Sequence, residues 1–223
     1  MIRNAFFLLC LGFAFPTMAS AQTVEAVEAE DTGWYRDDGF HEIDNENYLT
    51  GIFEFASERS ERNSFFVFDL SGSSELSSAT LRLSLPTDGY NSPDTVESFS
   101  LFEFGGDVTS LIDGTGGIGA FDDLGQGISF GSVDISQTDE NSFVDIELNS
   151  DGVAFLNSSL GGTVAIGGSV TSLVSTAGNE YVFGETDAGL IPIPTLVTVA
   201  VPEPSSIAFI GLAFALATSR RRR

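Results

Sequence analysis

The chain has 223 residues, and 32 acidic residues stand against nine arginines, no lysine and one histidine, for a formal net charge of −23. Five arginines lie near the two ends, so the region between them carries about −28, a charge that repels nucleic acid and anionic membranes and makes both poor partners. The single cysteine, Cys10, lies in an N-terminal apolar run, so the rest of the chain has no thiol chemistry or disulfide.

The first 21 residues have the pattern of a secretory signal peptide. Arg3 precedes an apolar run over residues 5–15, and Ala19 and Ala21 form a small-residue cleavage site. The pattern predicts cleavage before Gln22 and export of everything that follows.

The region after the cleavage site divides into an acidic leader and a β-rich body. We expect residues 22–31 to be flexible and residues 32–200 to form one domain, since that length is ample for a hydrophobic core. Short apolar or alternating runs bounded by turn residues predict strands. These runs span residues 32–35, 48–56, 65–70, 79–85, 96–104, 128–135, 143–148, 163–166, 181–183 and 195–200.

Two of these runs alternate cleanly between apolar and polar residues. In residues 79–85 the leucines point inward and Arg82 and Ser84 point outward, and in residues 143–148 Asp145 and Glu147 are the outward positions. Residues 65–70 (FFVFDL) form a short apolar and aromatic run that only Asp69 interrupts, which fits a buried strand better than a helix.

Helix signals are few. Residues 151–160 can form a helix capped by Asn149, Ser150 or Asp151 and closed by Gly161, and residues 108–112 can form a single turn. The pattern predicts an all-β antiparallel sandwich of jelly-roll type with one short helix. Periodicity gives no strand order.

The last 23 residues combine three segments. Pro202 and Pro204 keep the first segment extended, residues 207–218 are apolar and uncharged, and the chain closes on Arg220, Arg221, Arg222 and Arg223. A helix of twelve residues rises about 18 Å against a hydrocarbon core of about 30 Å. It is therefore short for a membrane span, although snorkelling arginines on the cytoplasmic side compensate in part. These physical properties alone leave a permanent anchor and a processed signal equally open.

Val201-Pro202-Glu203-Pro204-Ser205-Ser206, the apolar run and the terminal arginines together resemble the PEP-CTERM sorting signal. The resemblance implies recognition and cutting by an exosortase, a membrane-embedded cysteine transpeptidase of Gram-negative bacteria. Residues 201–223 are then a transient inner-membrane anchor with a cytoplasmic C-terminus. The same kind of tail is also described as an ice-binding protein C-terminal domain, a label that concerns the tail and not an activity of the body.

A second, shorter resemblance lies in the body. The segments FFVFDLS, from Phe65, and SATLRL, from Ser78, are similar to a pairing in DNRLRE-type and carbohydrate-module-like jelly rolls. It covers about 20 residues, mostly core positions, and implies the fold more than a function.

The abundant carboxylates make structural calcium a candidate ligand. Asp37, Asp38 and Asp44 cluster in one polar loop, and Asp122 and Asp123 lie beside a glycine-rich loop. Oxygen-rich loops at the ends of a sandwich suit Ca²⁺, but neither loop has the EF-hand spacing. Solvated acidic loops are the alternative, and no other cofactor is expected.

Motifs for catalysis are weak. His41 is the only histidine, no G-x-S-x-G elbow accompanies it, and paired carboxylates for glycoside hydrolysis cannot be distinguished in so acidic a chain. Residues 114–119 match G-x-G-x-x-G without the strand and long helix that a dinucleotide site needs, so we expect a surface loop there. No catalytic residue is assigned, and the protein is predicted not to be an enzyme.

The leading hypothesis is a secreted, non-enzymatic protein of the cell envelope or extracellular matrix. The alternative is a carbohydrate-binding module for the producer's exopolysaccharide, with Trp34, Tyr35, Phe40 and Tyr48 as aromatic candidates. Core packing is the more common use of aromatic residues at this density.

Overall fold

Eleven β-strands and three α-helices form the part of the chain that this computed structural model describes, residues 22–56, 58–174, 178–186 and 192–201. These residues belong to one compact unit, Gln22–Val201. The strands are β1 Val24–Glu28, β2 Asp31–Arg36, β3 Thr50–Phe55, β4 Glu58–Asp69, β5 Leu76–Leu85, β6 Glu97–Glu103, β7 Ser129–Ile135, β8 Ser142–Glu147, β9 Thr163–Val170, β10 Glu180–Val182 and β11 Thr195–Ala200. The helices are α1 Val108–Ile112, α2 Gly117–Gly125 and α3 Ser150–Ser158, with a 3₁₀ turn at Gln137–Asp139.

The strands form two antiparallel sheets. The smaller sheet has the order β1-β11-β5-β8, and the larger has the order β10-β3-β4-β9-β6-β7. The seventh strand of the larger sheet, β2, also pairs with β4, along Arg62 to Val67. The described body is therefore mostly β and sandwich-like, as the sequence predicts. The jelly-roll type stays a prediction.

The main core lies between the two sheets. Leu81, Leu83 and Leu85 of β5 are completely buried, and Val144 and Ile146 of β8 lie beside them, whereas the alternate side chains of both strands are more exposed. The alternation predicted for these strands is confirmed. It buries one face of the smaller sheet against β4, β6 and β9.

The C-terminal half of β4 is buried on both of its faces. Phe66 and Phe68 pack in the main core, whereas Phe65 and Val67 belong to a second cluster on the opposite face. The other buried members of this second cluster are Tyr35 of β2, Phe104, Leu111 of α1, Ala120 and Leu124 of α2, and Ala165 of β9. Because both faces of the strand are packed against other elements, all four residues from Phe65 to Phe68 are apolar.

The leader expected to be flexible is in part a strand, so that expectation is wrong over Val24–Glu28. This strand, β1, pairs with β11 from Val24–Val199 to Glu28–Thr195. Its side chains are almost all exposed, so backbone pairing holds it and its acidic residues stay in water. An exposed strand of this kind lacks the apolar alternation that a prediction uses.

The helix count is a second correction, since the described residues form three α-helices where one was expected in the body. The predicted helix is α3, capped by the Asn149 side chain, and the predicted single turn is α1, capped by Asp107. The missed helix, α2, forms where a glycine-rich surface loop was expected. Glycines disfavour helix by about 1 kcal/mol each, but packing of Ala120 and Leu124 on the large sheet overrides that propensity.

Close packing of α2 depends on a glycine in β9. A Cβ atom at Gly167 would lie 2.4 Å from the Leu124 carbonyl oxygen and 2.7 Å from its Cα atom. Such contacts cannot form without moving backbone, so the glycine lets the helix rest directly on the strand.

The predicted signal peptide, residues 1–21, and the predicted C-terminal membrane helix lie outside the described residues. Among the helices that the structure describes, none is both long and apolar enough to cross a bilayer.

Candidate functional site

The C-terminal tail leaves the body at the end of β11, which lies between β1 and β5. Beyond the last strand residue, the amide of Val201 donates to the carbonyl oxygen of Glu75 at 2.7 Å, and the amide of Ala200 donates to that of Thr23 at 2.9 Å. The predicted sorting motif therefore begins where the sheet ends, without a spacer.

Most of the predicted sorting and cleavage residues lie outside the described part of the chain. Val201 and Gln22 are described, and both are exposed. The others are Ala19, Ala21, Pro202, Glu203, Pro204, Ser205, Arg220, Arg221, Arg222 and Arg223, and they stay predictions.

The three calcium candidates of the polar loop after β2, Asp37, Asp38 and Asp44, do not converge on a common point. Asp38 forms an ion pair with Arg36 and accepts a hydrogen bond from the amide of Phe40 at 3.0 Å. The hydrogen bond that the Arg36 guanidinium donates to Asp38 lowers the pKa of the Asp38 carboxyl. Asp37 and Asp44 are exposed.

The other two calcium candidates lie on α2. The Asp123 carboxylate accepts hydrogen bonds from the amides of Gly105 and Gly106, at 2.8 and 3.0 Å, and so ties the helix to the turn after β6. Asp122 is exposed. No group of three converging acidic ligands within the described residues contains any of the five candidates.

A cluster of three carboxylates that the sequence did not reveal lies where β6 and β10 begin. Asp94, Glu97 and Glu180 bring their oxygen atoms within 4.8 Å of one another, and both glutamates are completely buried. Ser92 and Ser172 donate hydroxyl hydrogen bonds to Glu97, and the amide of Val174 donates to Glu180. Carboxylates at this spacing are the ligands that Ca²⁺ prefers.

His41 is a packing residue rather than a surface one. It is 9% exposed, its Nδ1 lies 2.9 Å from the carbonyl oxygen of Trp34, and its ring stacks on Tyr35. The edge of the ring contacts Phe65.

Three of the four aromatic candidates are core residues, as aromatic density favoured. Trp34, Tyr35 and Tyr48 are at most 4% exposed, and the hydroxyl of Tyr35 donates to the carbonyl oxygen of Leu111. Only Phe40 is open to solvent, at 48%.

An arginine lies between two aromatic rings at the end of the larger sheet. The guanidinium of Arg62, on β4, is 4.0 Å from the ring centroid of Trp34 and 4.5 Å from that of Phe53. Burial and the neighbouring charge of Arg36 lower the pKa of Arg62 to about 10, so it stays charged at neutral pH. Its Nε is buried and has no hydrogen-bond partner among the described residues.

The same surface continues along β3 and across β2. Phe55 is 71% exposed, and its ring is nearly parallel to that of Phe53, with centroids 6.5 Å apart. On the other side, Phe40 packs against Trp34. We call Trp34, Phe40, Phe53, Phe55 and Arg62 the arginine–aromatic face. The period-two spacing of the two β3 phenylalanines could have indicated it, because such residues share one face of a strand.

Comparison with known families gives a match to the tail. Residues 200–223 match the PEP-CTERM protein-sorting motif. No curated protein matches the chain. The chain therefore carries a protein-sorting signal directly after β11, and that signal implies export, transient membrane anchoring and an exosortase-type processing partner.

Proposed function

We propose that this protein is a secreted, non-enzymatic component of the cell envelope or extracellular matrix of a Gram-negative bacterium, sorted through its C-terminal motif by an exosortase. The match over residues 200–223 carries the proposal. The acidic body is the cargo, a sandwich of jelly-roll type, and the catalytic residue of the processing step belongs to the exosortase.

The position of the motif supports processing at the surface of a folded body. β11 is an inner strand of the smaller sheet, and Val201 is still hydrogen-bonded to that sheet. A cut just beyond this residue leaves every described strand intact. The mature protein then ends beside its own N-terminus, because β1 pairs with β11.

The test is the intact mass of the protein from its native producer and from the same strain without its exosortase. We expect a chain that begins at Gln22 and ends near Pro204 in the wild-type strain, and a membrane-bound chain that still ends at Arg223 in the deletion strain. Replacing Pro202, Glu203 and Pro204 together by alanine should give the second result in both strains.

Thr195→Ser is the matched control, because it lies in β11 but outside the matched residues and should be processed normally. If removal of Pro202–Arg223 leaves both the mass of the mature chain and its location unchanged, the proposed sorting is wrong.

A further inference from the structure

Three short segments surround the point where the tail leaves the body. The loop between β4 and β5 accepts the hydrogen bond of the Val201 amide at the carbonyl oxygen of Glu75. The same loop meets the turn before β9, because the amide of Leu70 donates to the carbonyl oxygen of Gly162 at 2.9 Å. Before β1, the carbonyl oxygen of Thr23 accepts from the last residue of β11. We call residues 22–23, 70–75, 159–162 and 201 the tail-end surface.

The tail-end surface carries almost no charge. Glu75 is its only acidic residue, and serine, glycine and threonine make up most of the rest. The carboxylate of Asp69, directly before the loop, accepts from the amide and the hydroxyl of Ser71 at 2.8 and 2.9 Å. Two valines at this end, Val24 and Val201, are 65% and 40% exposed. The surface therefore offers neutral polar groups and some apolar area to a partner.

The opposite end of the sandwich is strongly acidic. The loop before β3 meets the segment after β10 through Tyr48 and Thr186, and that segment meets the loop before β6 through Gly184 and Gly89. The loop before β8 joins them through an amide hydrogen bond to Glu140. The three arginines of β2 and β4 do not neutralise this end, because β3 and β4 carry three glutamates beside them. The four connecting segments contain no arginine and ten acidic residues, Asp37, Asp38, Glu42, Asp44, Glu46, Asp88, Asp94, Asp139, Glu140 and Glu185.

Strand β5 connects the two ends and sets their separation. It runs from Leu76, next to the tail-end surface, to Leu85, whose carbonyl oxygen accepts from the amide of Asn141 at the acidic end. A strand of ten residues spans about 30 Å, at about 3.3 Å a residue. Because electrostatic repulsion between exposed charges decays over about 8 Å at physiological ionic strength, the two ends experience a charged surface very differently.

The sequence after Val201 brings this end of the body close to lipid. Residues 202–206 separate Val201 from the apolar run of the tail, and a chain of that length reaches about 20 Å when fully extended. The net charge of the body disfavours contact with anionic lipid, but its uneven distribution leaves one end that can approach. That end is the one from which the tail leaves.

We propose that the tail-end surface faces the phospholipid headgroups of the membrane while the C-terminal segment anchors the chain. Each charge close to an anionic lipid surface changes binding by about fivefold, so turning the acidic end toward the lipid is strongly disfavoured. Exposed hydroxyl and amide groups of the serine- and glycine-rich loops donate to lipid phosphates instead. The proposal rests on the proposed function, because only an anchored chain is held this close to lipid.

The orientation can be measured on the full chain, because its only cysteine is removed by Cys10→Ala. A single cysteine is then introduced by Ser74→Cys on the tail-end surface or by Gln137→Cys at the acidic end, where both side chains are exposed. Each variant is labelled with a fluorophore and reconstituted into vesicles of phosphatidylethanolamine and phosphatidylglycerol that contain a headgroup-nitroxide lipid as quencher. We expect quenching at position 74 to exceed that at position 137 by at least about fivefold, the factor for one charge.

A charge variant separates the lipid contact from the short tether, which by itself keeps position 74 nearer the membrane. Thr23→Glu adds an acid to the tail-end surface and should lower quenching at position 74 by about fivefold. The same substitution should have little effect in vesicles of phosphatidylcholine alone, which carry no net charge. Thr95→Glu is the matched control, since it adds an acid at an exposed position of the acidic end and should leave quenching at position 74 unchanged.

The other outcomes overturn the proposal. Equal quenching at the two labelled positions shows that the body has no preferred orientation, and an unaltered signal in Thr23→Glu shows that the tether alone positions it. A preference that appears only in membranes containing the producer's exosortase assigns the surface to that enzyme and not to lipid. A chain that does not float with the vesicles has no anchor, which contradicts the proposed sorting as well, whereas a floating chain without a preference contradicts only the orientation.

Discussion

The two halves of β4 differ in how deeply their side chains are buried. Residues from Phe65 to Phe68 are completely buried, with one sheet face packed on the smaller sheet and the other on α1 and α2. From Glu58 to Arg62 the same strand is exposed or half-buried and carries charged side chains. Pairing with β3 and β2 keeps both halves in one continuous strand.

This difference indicates that the stabilising contacts of β4 are concentrated in its C-terminal half. Apolar side chains in the C-terminal half are removed from water, and each contributes about 1.5–3 kcal/mol. The charged side chains of the N-terminal half, and the ring of Phe55 beside them on β3, stay partly in water and contribute less to folding. Substitutions in the two halves should therefore affect stability very differently, although the side chains are of similar size.

The largest effect is expected for Phe66→Ala. Phe66 is completely buried and contacts the ring of Tyr48, so its removal leaves a cavity in the main core. The free energy of unfolding should fall by about 3–5 kcal/mol, measured by urea denaturation.

Phe55→Ala is the counterpart from the uncovered end and should change the unfolding free energy by no more than about 0.5 kcal/mol. A loss for Phe55→Ala comparable to that of Phe66→Ala would show that the arginine–aromatic face is part of the core and contradict the comparison.

An intermediate effect is expected where α2 covers the buried half of β4. Gly167 pairs with Phe65, and a methyl group there would meet the backbone of Leu124. Gly167→Ala should therefore lower stability by about 1–3 kcal/mol, as overpacking does.

Gly119→Ala tests the same helix where nothing lies within 4 Å of the added methyl group. It should raise stability by about 0.5–1 kcal/mol through helix propensity, read as a higher urea midpoint. If both alanines have the same sign of effect, direct contact between α2 and β9 is not what requires the glycine.

Sequence patterns predict the parts of this fold whose burial is one-sided or complete. The leucines of β5 alternate because one face is covered, and the apolar run of β4 reflects cover on both faces. The N-terminal half of β4 gave no signal, because ERSER has neither alternation nor apolar residues. Helix α2 was missed because its stability comes from packing and not from its own propensity.

Clusters of side chains that are distant in sequence could not be predicted in the same way. Glu97 and Glu180 are distant in sequence and meet because β6 and β10 carry them to the same place. Asp37, Asp44 and Asp122 are close to other acids in sequence, but their exposed positions let them remain apart in water. Proximity along the chain indicates a metal site only when the loop has a fixed geometry, as in an EF-hand.

The smallest effects concern two carboxylates with opposite pKa shifts. Glu61, in the uncovered half of β4, has a raised pKa because it is half-buried and lies near the charge of Asp37. Its ionised form therefore destabilises the folded state. This cost is absent below the unfolded-state pKa, ordinarily 4.5, and it grows until the pH passes the folded-state value. Glu61→Gln should raise the melting temperature at pH 7 and have no such effect at low pH.

Asp145→Asn should show the reverse dependence at pH 7. The hydrogen bonds from Arg82 lower the pKa of Asp145, so this carboxylate contributes stability above its ordinary value of 3.8 and loses it as the pH falls through the folded-state pKa. The variant should therefore melt slightly earlier at pH 7 and approach the wild type in acid. Melting curves between pH 3 and pH 7 distinguish the two cases. If both substitutions lower the melting temperature at pH 7, Glu61 is stabilised by a partner in spite of its burial, and the uncovered half of β4 contributes more to folding than its exposure indicates.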